Sequence, residues 1–233
     1  ERVILISGAA GSIGSGLVRQ LAGYNPIKLI MLDQAESPLY DIHNELKDEF
    51  PNVDFEVVIG DIRNFERMKN LFDKFKPTYV FHAAAYKHVP LMEDNPYEAI
   101  KVNVYGTSLL MNFALQYGIH KFIMVSTDKA VNPTNIMGAS KRIAEIVAQE
   151  ITTRNPDVKV MALKADATNP EQVTNMVDVI VKNWGSLTIA CNNAGIGQWV
   201  DTLDMSYEDW QRMIRIDLDS VFLCAQAEAR HMV

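Results

Sequence analysis

Short apolar runs alternate with longer amphipathic stretches from one end of the chain to the other. The runs at residues 3–7, 29–32, 56–59, 79–82, 121–125, 159–164 and 187–191 are apolar through most of their length, as strands covered on both faces must be. Residues 14–22, 38–49, 65–72, 96–116, 139–152 and 170–183 repeat their apolar positions at the helical period. Strands and helices in strict alternation imply crossover connections between parallel neighbours. The expected fold class is therefore α/β, a three-layer α/β/α sandwich around a mostly parallel sheet of about seven strands. The mildest break is the polar turn Thr153-Arg154-Asn155-Pro156-Asp157. It separates a front unit, residues 1–153, from residues 154–233, which are expected to complete the same domain with the last two strands.

One pattern occurs twice. A strand, an Asp and a helix start run over residues 57–66 around Asp61, and again over 161–171 around Asp166. A second strand follows each, ending in His82-Ala83-Ala84-Ala85 or in Asn192-Asn193-Ala194-Gly195. Two copies fall short of the roughly three repeats a solenoid needs to bury its core.

Ser7-Gly8-Ala9-Ala10-Gly11-Ser12-Ile13-Gly14 follows the first strand and opens a helix. Glycines there permit a tight turn and a close backbone approach, so a pyrophosphate can rest on the N–H groups and dipole of the helix start. Asp33 ends the second strand nineteen residues beyond Gly14. A carboxylate at that point accepts from a ribose 2′-hydroxyl and repels a 2′-phosphate, which favours NAD over NADP unless Lys28 or Arg63 alters the balance. The sandwich is thus of Rossmann type, with Gly8, Ala10, Gly11, Ser12, Ile13, Gly14 and Asp33 as candidate dinucleotide contacts. Asp61, ending the third strand, is either an adenine contact or a helix N-cap.

Composition narrows the function classes. At a net charge of −7 with no basic block, the chain is not built for a nucleic-acid backbone. Cys191 and Cys224 are too few for a disulfide framework and read as buried thiols of a cytoplasmic protein. No apolar run approaches the ~20 residues that span a bilayer. No metal is expected. The chain opens on Glu1 rather than Met, as an excised domain would.

Three longer stretches carry a family resemblance. They are His82-Ala83-Ala84-Ala85-Tyr86-Lys87-His88-Val89-Pro90, then Asn103-Val104-Tyr105-Gly106-Thr107, then the run from Ser126-Thr127-Asp128-Lys129 through Met137-Gly138-Ala139-Ser140-Lys141-Arg142. With the Gly-x-x-Gly-x-x-Gly loop, residues 1–150 resemble the bacterial polysaccharide-biosynthesis 4,6-dehydratases of UDP-N-acetylhexosamines, in the extended short-chain dehydrogenase/reductase superfamily. The resemblance implies a catalytic nicotinamide that removes hydride from sugar C4 and returns it to C6 after water is lost across C5 and C6. It implies Thr127, Asp128 and Lys129 as catalytic residues, the last two as the acid/base pair of the elimination. Lys141 would hold the nicotinamide ribose. Met137, four residues earlier, stands where most of the superfamily has a proton-transferring tyrosine, and these dehydratases commonly carry methionine there. Ile62, Ala83, Ala84, Ala85 and Asn103 join the cofactor contacts, and Lys87 and His88 face the UDP-sugar or form an ordinary surface loop. Helices 96–116 and 139–152 would pair two copies into a homodimer.

From residue 158 onward the chain is similar instead to the middle of a short-chain polyol or sugar dehydrogenase, through Asp166-Ala167-Thr168-Asn169-Pro170, Asn192-Asn193-Ala194-Gly195 and Thr202-Leu203-Asp204. In that family this segment precedes the catalytic Tyr-x-x-x-Lys; here it follows the dehydratase-like stretch, and Asp217 replaces a commonly catalytic Asn. The whole reads as a chimera, engineered rather than natural. The expected function is dinucleotide binding with little or no turnover, ahead of an active UDP-N-acetylhexosamine 4,6-dehydratase and of a simple NAD(P)-dependent dehydrogenase.

Overall fold

The computed structural model describes residues 2–155, 157–197 and 200–232. The chain forms two compact units, Glu1–Pro156 and Asp157–Val233.

In the first unit the order is β1 (Val3–Ser7), α1 (Ser12–Ala22), β2 (Lys28–Asp33), α2 (Glu36–Glu49), β3 (Phe55–Ile59), α3 (Phe65–Phe75), β4 (Tyr79–His82), α4 (Val89–Asp94), α5 (Pro96–Ala99), a π-helical segment (Ile100–Gly106), α6 (Thr107–Gln116), β5 (Lys121–Met124), a 3₁₀ turn (Asp128–Ala130) and α7 (Ile136–Arg154). The strands lie in the order β3-β2-β1-β4-β5, every neighbouring pair parallel. β1 and β2 are central, and Leu29, Ile30, Met31 and Leu32 have no exposed surface, so β2 is apolar without alternation. On one face Leu5, Ile30, Leu32, Val58 and Val80 pack with Met68, Leu71 and Phe72 of α3 and Leu110 and Phe113 of α6. The intervening side chains of β1 and β2 point to the opposite face, where α1 buries Val18 and Ala22 and α2 buries Leu39, Ile42 and Leu46 at helical spacing. The chain reverses direction at the first strand: β2 and β3 lie to one side of β1, β4 and β5 to the other. That reversal opens a crevice at the strands' carboxyl ends.

The helix expected over residues 96–116 is interrupted by the π segment. Gly106 lets this stretch press on the loop after β3: a Cβ there would lie 2.6 Å from Ile62 Cδ1.

In the second unit α8 (Pro170–Trp184) starts at Asn169, whose side chain accepts from Glu171 N and Gln172 N, and ends at Gly185 with φ 84°. α9 (Tyr207–Ile214) follows a Ser206 cap, and a second π segment (Arg215–Asp219) leads into α10 (Ser220–Met232). Among the described residues few side chains are buried here: Val173 and Val177 of α8, and Ser220, Cys224 and Glu228 of α10; Cys191, expected to be buried like Cys224, is exposed.

The sheet has five strands among the described residues, not about seven. Residues 159–164 and 187–191, expected as the sixth and seventh, form no ladder. An apolar run becomes a parallel strand only when neighbours satisfy its backbone and layers cover both faces. Here Val160 and Leu163 are 39% exposed. No helix among the described residues is long and apolar enough to cross a membrane.

Candidate functional site

Gly8 leaves β1 with φ +74°, and its N–H and that of Ala9 donate to the Leu32 carbonyl at 2.9 and 3.2 Å. The turn closes through Gly11 N to Gly8 O at 3.0 Å. A Cβ on Gly8 would lie 2.5 Å from Ala84 N, and one on Gly14 would collide with the Gly8 carbonyl oxygen. Glycine is therefore required twice, once by conformation and once by close approach. The N-cap of α1 is Gly11, which has no side chain to occupy the first-turn N–H groups. By contrast, Asn64 and Asn135 cap α3 and α7 with their side chains.

A cleft of about 220 Å³ opens beside this loop. Of the residues singled out from sequence, Gly8, Ala10, Gly11, Asp33, Asp61, Ile62, Ala83, Ala84 and Ala85 line it together. Leu32, Gln34, Ala35, Gly60, Tyr86 and Val102 complete the lining; Tyr86 lies in a stretch that carries the family resemblance, and none of the six was expected as a contact. Asp33 is held by two backbone donors, Ala10 N to Oδ2 at 2.9 Å and Ala35 N to Oδ1 at 3.0 Å. Each oxygen keeps a lone pair for a ligand hydroxyl. Asp61 faces Arg63: Oδ1 accepts from Arg63 N at 2.8 Å, and Oδ2 from Nε at 2.8 Å and Nη2 at 2.7 Å. Burial pushes the Asp61 carboxyl up, but these donors hold it below its ordinary value. It is not the N-cap of α3; Asn64 is. The cations that could have favoured a 2′-phosphate are engaged, Lys28 with Asp54 at 2.8 Å and Arg63 with Asp61 and Glu98.

The remaining candidates fall into two groups. Ser12 and Ile13 form the exposed first turn of α1, where Lys87 Nζ donates to Ser12 Oγ at 2.6 Å, so Lys87 reaches the glycine loop. His88 is an exposed N-cap of α4 with no side-chain cap bond. Asn103 has no exposed surface; its Oδ1 accepts from Tyr86 N at 2.8 Å and its Nδ2 donates to Tyr86 O and Ser140 Oγ, both at 2.9 Å. It fixes the cleft floor to α7 from behind. Lys141 is buried and donates to the Val125 carbonyl at 2.9 Å; burial brings its ammonium down to about 8. Met137 is buried beside Met92 and Ala99.

After β5, Thr127 Oγ1 donates to Asp128 Oδ1 at 2.8 Å, and Lys129 Nζ lies 3.1 Å from the same oxygen. Burial raises the Asp128 carboxyl, and Thr127 and Lys129 more than reverse it, so it is held ionised at neutral pH. Gly138 lets α7 touch this turn, since a Cβ there would strike the Lys129 carbonyl. A further network was not legible beforehand. His82 is fully buried, its Nδ1 2.7 Å from Ser7 Oγ and its Nε2 2.8 Å from Thr107 Oγ1. Burial, and then the Lys141 charge, bring it down to about 3, so the ring is neutral.

The same stretches match known proteins. A profile of the family described as "Polysaccharide biosynthesis protein" matches residues 4–165, and one described as "short chain dehydrogenase" matches residues 118–233. The Staphylococcus aureus capsular polysaccharide biosynthesis protein CapD is 46% identical over 165 residues, 70% of this chain and 28% of that protein. An inverting UDP-N-acetylglucosamine 4,6-dehydratase from Campylobacter jejuni is 37% identical over 142 residues, 60% of this chain and 40% of that one. This chain thus spans less than half the length of either. Among solved structures, a Streptomyces venezuelae dTDP-glucose 4,6-dehydratase, the DesIV double mutant with NAD and DAU bound, aligns with a TM-score of 0.58 at 25% identity, covering 79% of this chain and 63% of that one. The profile match runs from β1 through α7, taking in the glycine loop, the cleft and the Thr127–Lys129 turn, and by it the chain belongs to the polysaccharide biosynthesis protein family.

Proposed function

We propose that the cleft binds a nicotinamide dinucleotide, NAD in preference to NADP. The observation that carries this is the double glycine requirement: backbone is brought so close at Gly8 and Gly14 that no side chain fits, directly beside a cleft edged by a fixed carboxylate. The first turn of α1 and the Lys87 ammonium suit the pyrophosphate, Asp33 the adenosine ribose, Asp61 and Ile62 the adenine, and Lys141 the nicotinamide ribose. Asp33 repels a 2′-phosphate, and both Lys28 and Arg63 are already paired.

Residues for chemistry follow β5, outside the cleft's lining, and with the family resemblance they support a second reading, a nucleotide-sugar 4,6-dehydratase. The nicotinamide, when bound, supplies reversible oxidation of a sugar carbinol. Asp128 Oδ1 accepts a proton, Lys129 Nζ donates one, and Thr127 orients the carboxylate between them. Met137, buried in an apolar cluster, moves no proton. The succession of dehydratase-like and dehydrogenase-like stretches fits a fusion of two segments. Tyr97, Tyr105, Ile143 and Ile146 are 68%, 52%, 40% and 49% exposed on the helices expected to pair subunits, which suits a homodimer.

Calorimetric titration with NAD, NADP and UDP-N-acetylglucosamine, singly and together, tests both readings. NAD is expected to bind, with NADP at least about tenfold weaker for the charge repulsion at Asp33, and Gly14→Ala to abolish binding. Absence of dinucleotide binding sinks the proposal. Sugar-nucleotide binding followed by a 4-keto-6-deoxy product that Asp128→Asn eliminates establishes the dehydratase; dinucleotide binding alone leaves a cofactor-binding unit without turnover.

A further inference from the structure

The strand–Asp–helix pattern that occurs twice in the sequence ends differently in its second copy. In the first unit the residue two beyond the Asp is Arg63, whose guanidinium engages both oxygens of Asp61. In the second unit that residue is Thr168. Its N–H and its Oγ1 both donate to Asp166 Oδ1, at 2.9 and 2.8 Å. The shorter side chain leaves Asp166 Oδ2 with no donor among the described residues. The turn itself is fixed: Asp166 N donates to Gln172 Oε1 at 2.9 Å, and Asn169 N to the Asp166 carbonyl at 3.0 Å. Asp166 and Thr168 line a cavity of about 360 Å³ within the second unit, in the size range of small-molecule sites.

The rest of the polar lining comes from α9 and the π segment after it. Glu208, Gln211, Arg212 and Arg215 follow one another at three, one and three residues, so they share one helix face, and that face lines the cavity. None of these four side chains makes a hydrogen bond or an ion pair among the described residues. The π segment is anchored through Asp217 Oδ1, which accepts from Ile196 N at 2.8 Å. Two guanidiniums one turn apart present more N–H donors than the two oxygens of a carboxylate, which one fork already fills; a phosphate has three terminal oxygens and accepts from both. Asp166 Oδ2 and Glu208 only accept, and Thr168 Oγ1 has already given its proton to Asp166, so the remainder of a ligand has to donate. Hydroxyls do so without bringing a further charge. We propose that this cavity is a binding site for a small phosphorylated polyol, with the phosphate on Arg212 and Arg215 and hydroxyls on Asp166 and Thr168. The site uses no residue of the dinucleotide cleft and stands independently of that reading.

The test is calorimetric titration of the whole chain with glucose 6-phosphate, inorganic phosphate and glucose, each separately. Glucose 6-phosphate is expected to bind at least about tenfold more tightly than either of the others, the scale of one hydrogen bond to a charged group. Arg212→Gln and Arg215→Gln are each expected to weaken it by about tenfold. Asp166→Asn is expected to lower the preference for glucose 6-phosphate over inorganic phosphate by about threefold while leaving inorganic phosphate bound as tightly or more so. A fold defect does not produce that split. Asp166, Arg212 and Arg215 are all exposed, so the three variants are expected to keep the wild-type circular dichroism. Equal affinities for glucose 6-phosphate and inorganic phosphate overturn the inference and reduce the arginines to an adventitious anion contact. Glucose 6-phosphate binding that survives both arginine substitutions places the ligand elsewhere and overturns it too. Binding of none of the three overturns it while leaving the dinucleotide reading untouched.

Discussion

Lys141 illustrates how far a single residue's position in sequence falls short of its state. Spacing after Met137 marks it as a helix lysine, and the family resemblance implies a place beside a cofactor, yet only the fold shows it buried, with its ammonium on the Val125 carbonyl and its titration brought down to about 8. The unfolded chain, with an ordinary lysine at 10.5, binds more protons than the folded one between pH 8 and 10.5. The folded state therefore carries the burial penalty in full below about pH 8 and loses it as the pH rises. Stability from urea unfolding is expected to climb by up to about 3 kcal/mol across that window, and Lys141→Met to flatten the climb; an equal rise in the variant refutes the assignment. His82 obeys the opposite-limb version of the same rule. Neutral inside the fold and titrating near 3, it costs stability as the pH falls below 6.5, where the unfolded imidazole takes up a proton. His82→Gln is expected to remove that part of the acid loss, leaving the carboxylates' share, and an unaltered slope between pH 6.5 and 5 contradicts it. Asp33 is the contrary case: an acidic residue closing the second strand is legible from spacing, because its role depends on strand length and turn geometry that are local. The partner of Asp61 was less so, since Glu98 meets Arg63 from thirty-five residues away.

At the scale of elements, the π segment Ile100–Gly106 separates a helix that periodicity runs straight through. The extra residue turns Asn103 inward, where it closes three hydrogen bonds between the cleft floor and α7. Asn103→Leu leaves the Tyr86 N–H and carbonyl and the Ser140 hydroxyl short of partners in a buried place. Destabilisation of about 2–4 kcal/mol is expected by urea unfolding, and a loss below about 0.5 kcal/mol, the size of an ordinary surface substitution, denies Asn103 this role. The internal echo seen in the sequence recurs here. In the second unit the π segment Arg215–Asp219 carries Asp217, whose Oδ1 accepts from Ile196 N at 2.8 Å, as Asn103 Oδ1 accepts from Tyr86 N. An Asp can only accept, so the half of the clamp that Asn103 makes through Nδ2 has no counterpart at Asp217. The echo held where local pattern governs, at the Asp turn and the helix start after it. It failed at the strands: residues 159–164 and 187–191 have the composition of strands and no ladder to join.

For the molecule as a whole, the two units differ in what holds them. Glu1–Pro156 has a parallel sheet with layers of buried Leu, Ile, Met and Phe on its faces, whereas Asp157–Val233 has helices around a handful of buried side chains. Since stability follows buried apolar surface, amides of β1, β2 and β4 are expected to exchange hydrogen slowest, and those of α9 and α10 orders of magnitude faster. Protection in α10 equal to that in β2 contradicts this. The sequence by itself determined the alternating α/β plan, the first-unit strands to within a residue or so, the glycine loop with Asp33, and the family to which these belong, because each rests on local periodicity, turn chemistry or contiguous motif. Only the tertiary structure decided that the sheet stops at five strands, that Lys87 reaches Ser12, that Asn103 works from behind the cleft, and that Arg63 is tied between Asp61 and Glu98. Those outcomes depend on which segments find partners across long sequence separations, and on burial, neither of which a local pattern of residues specifies.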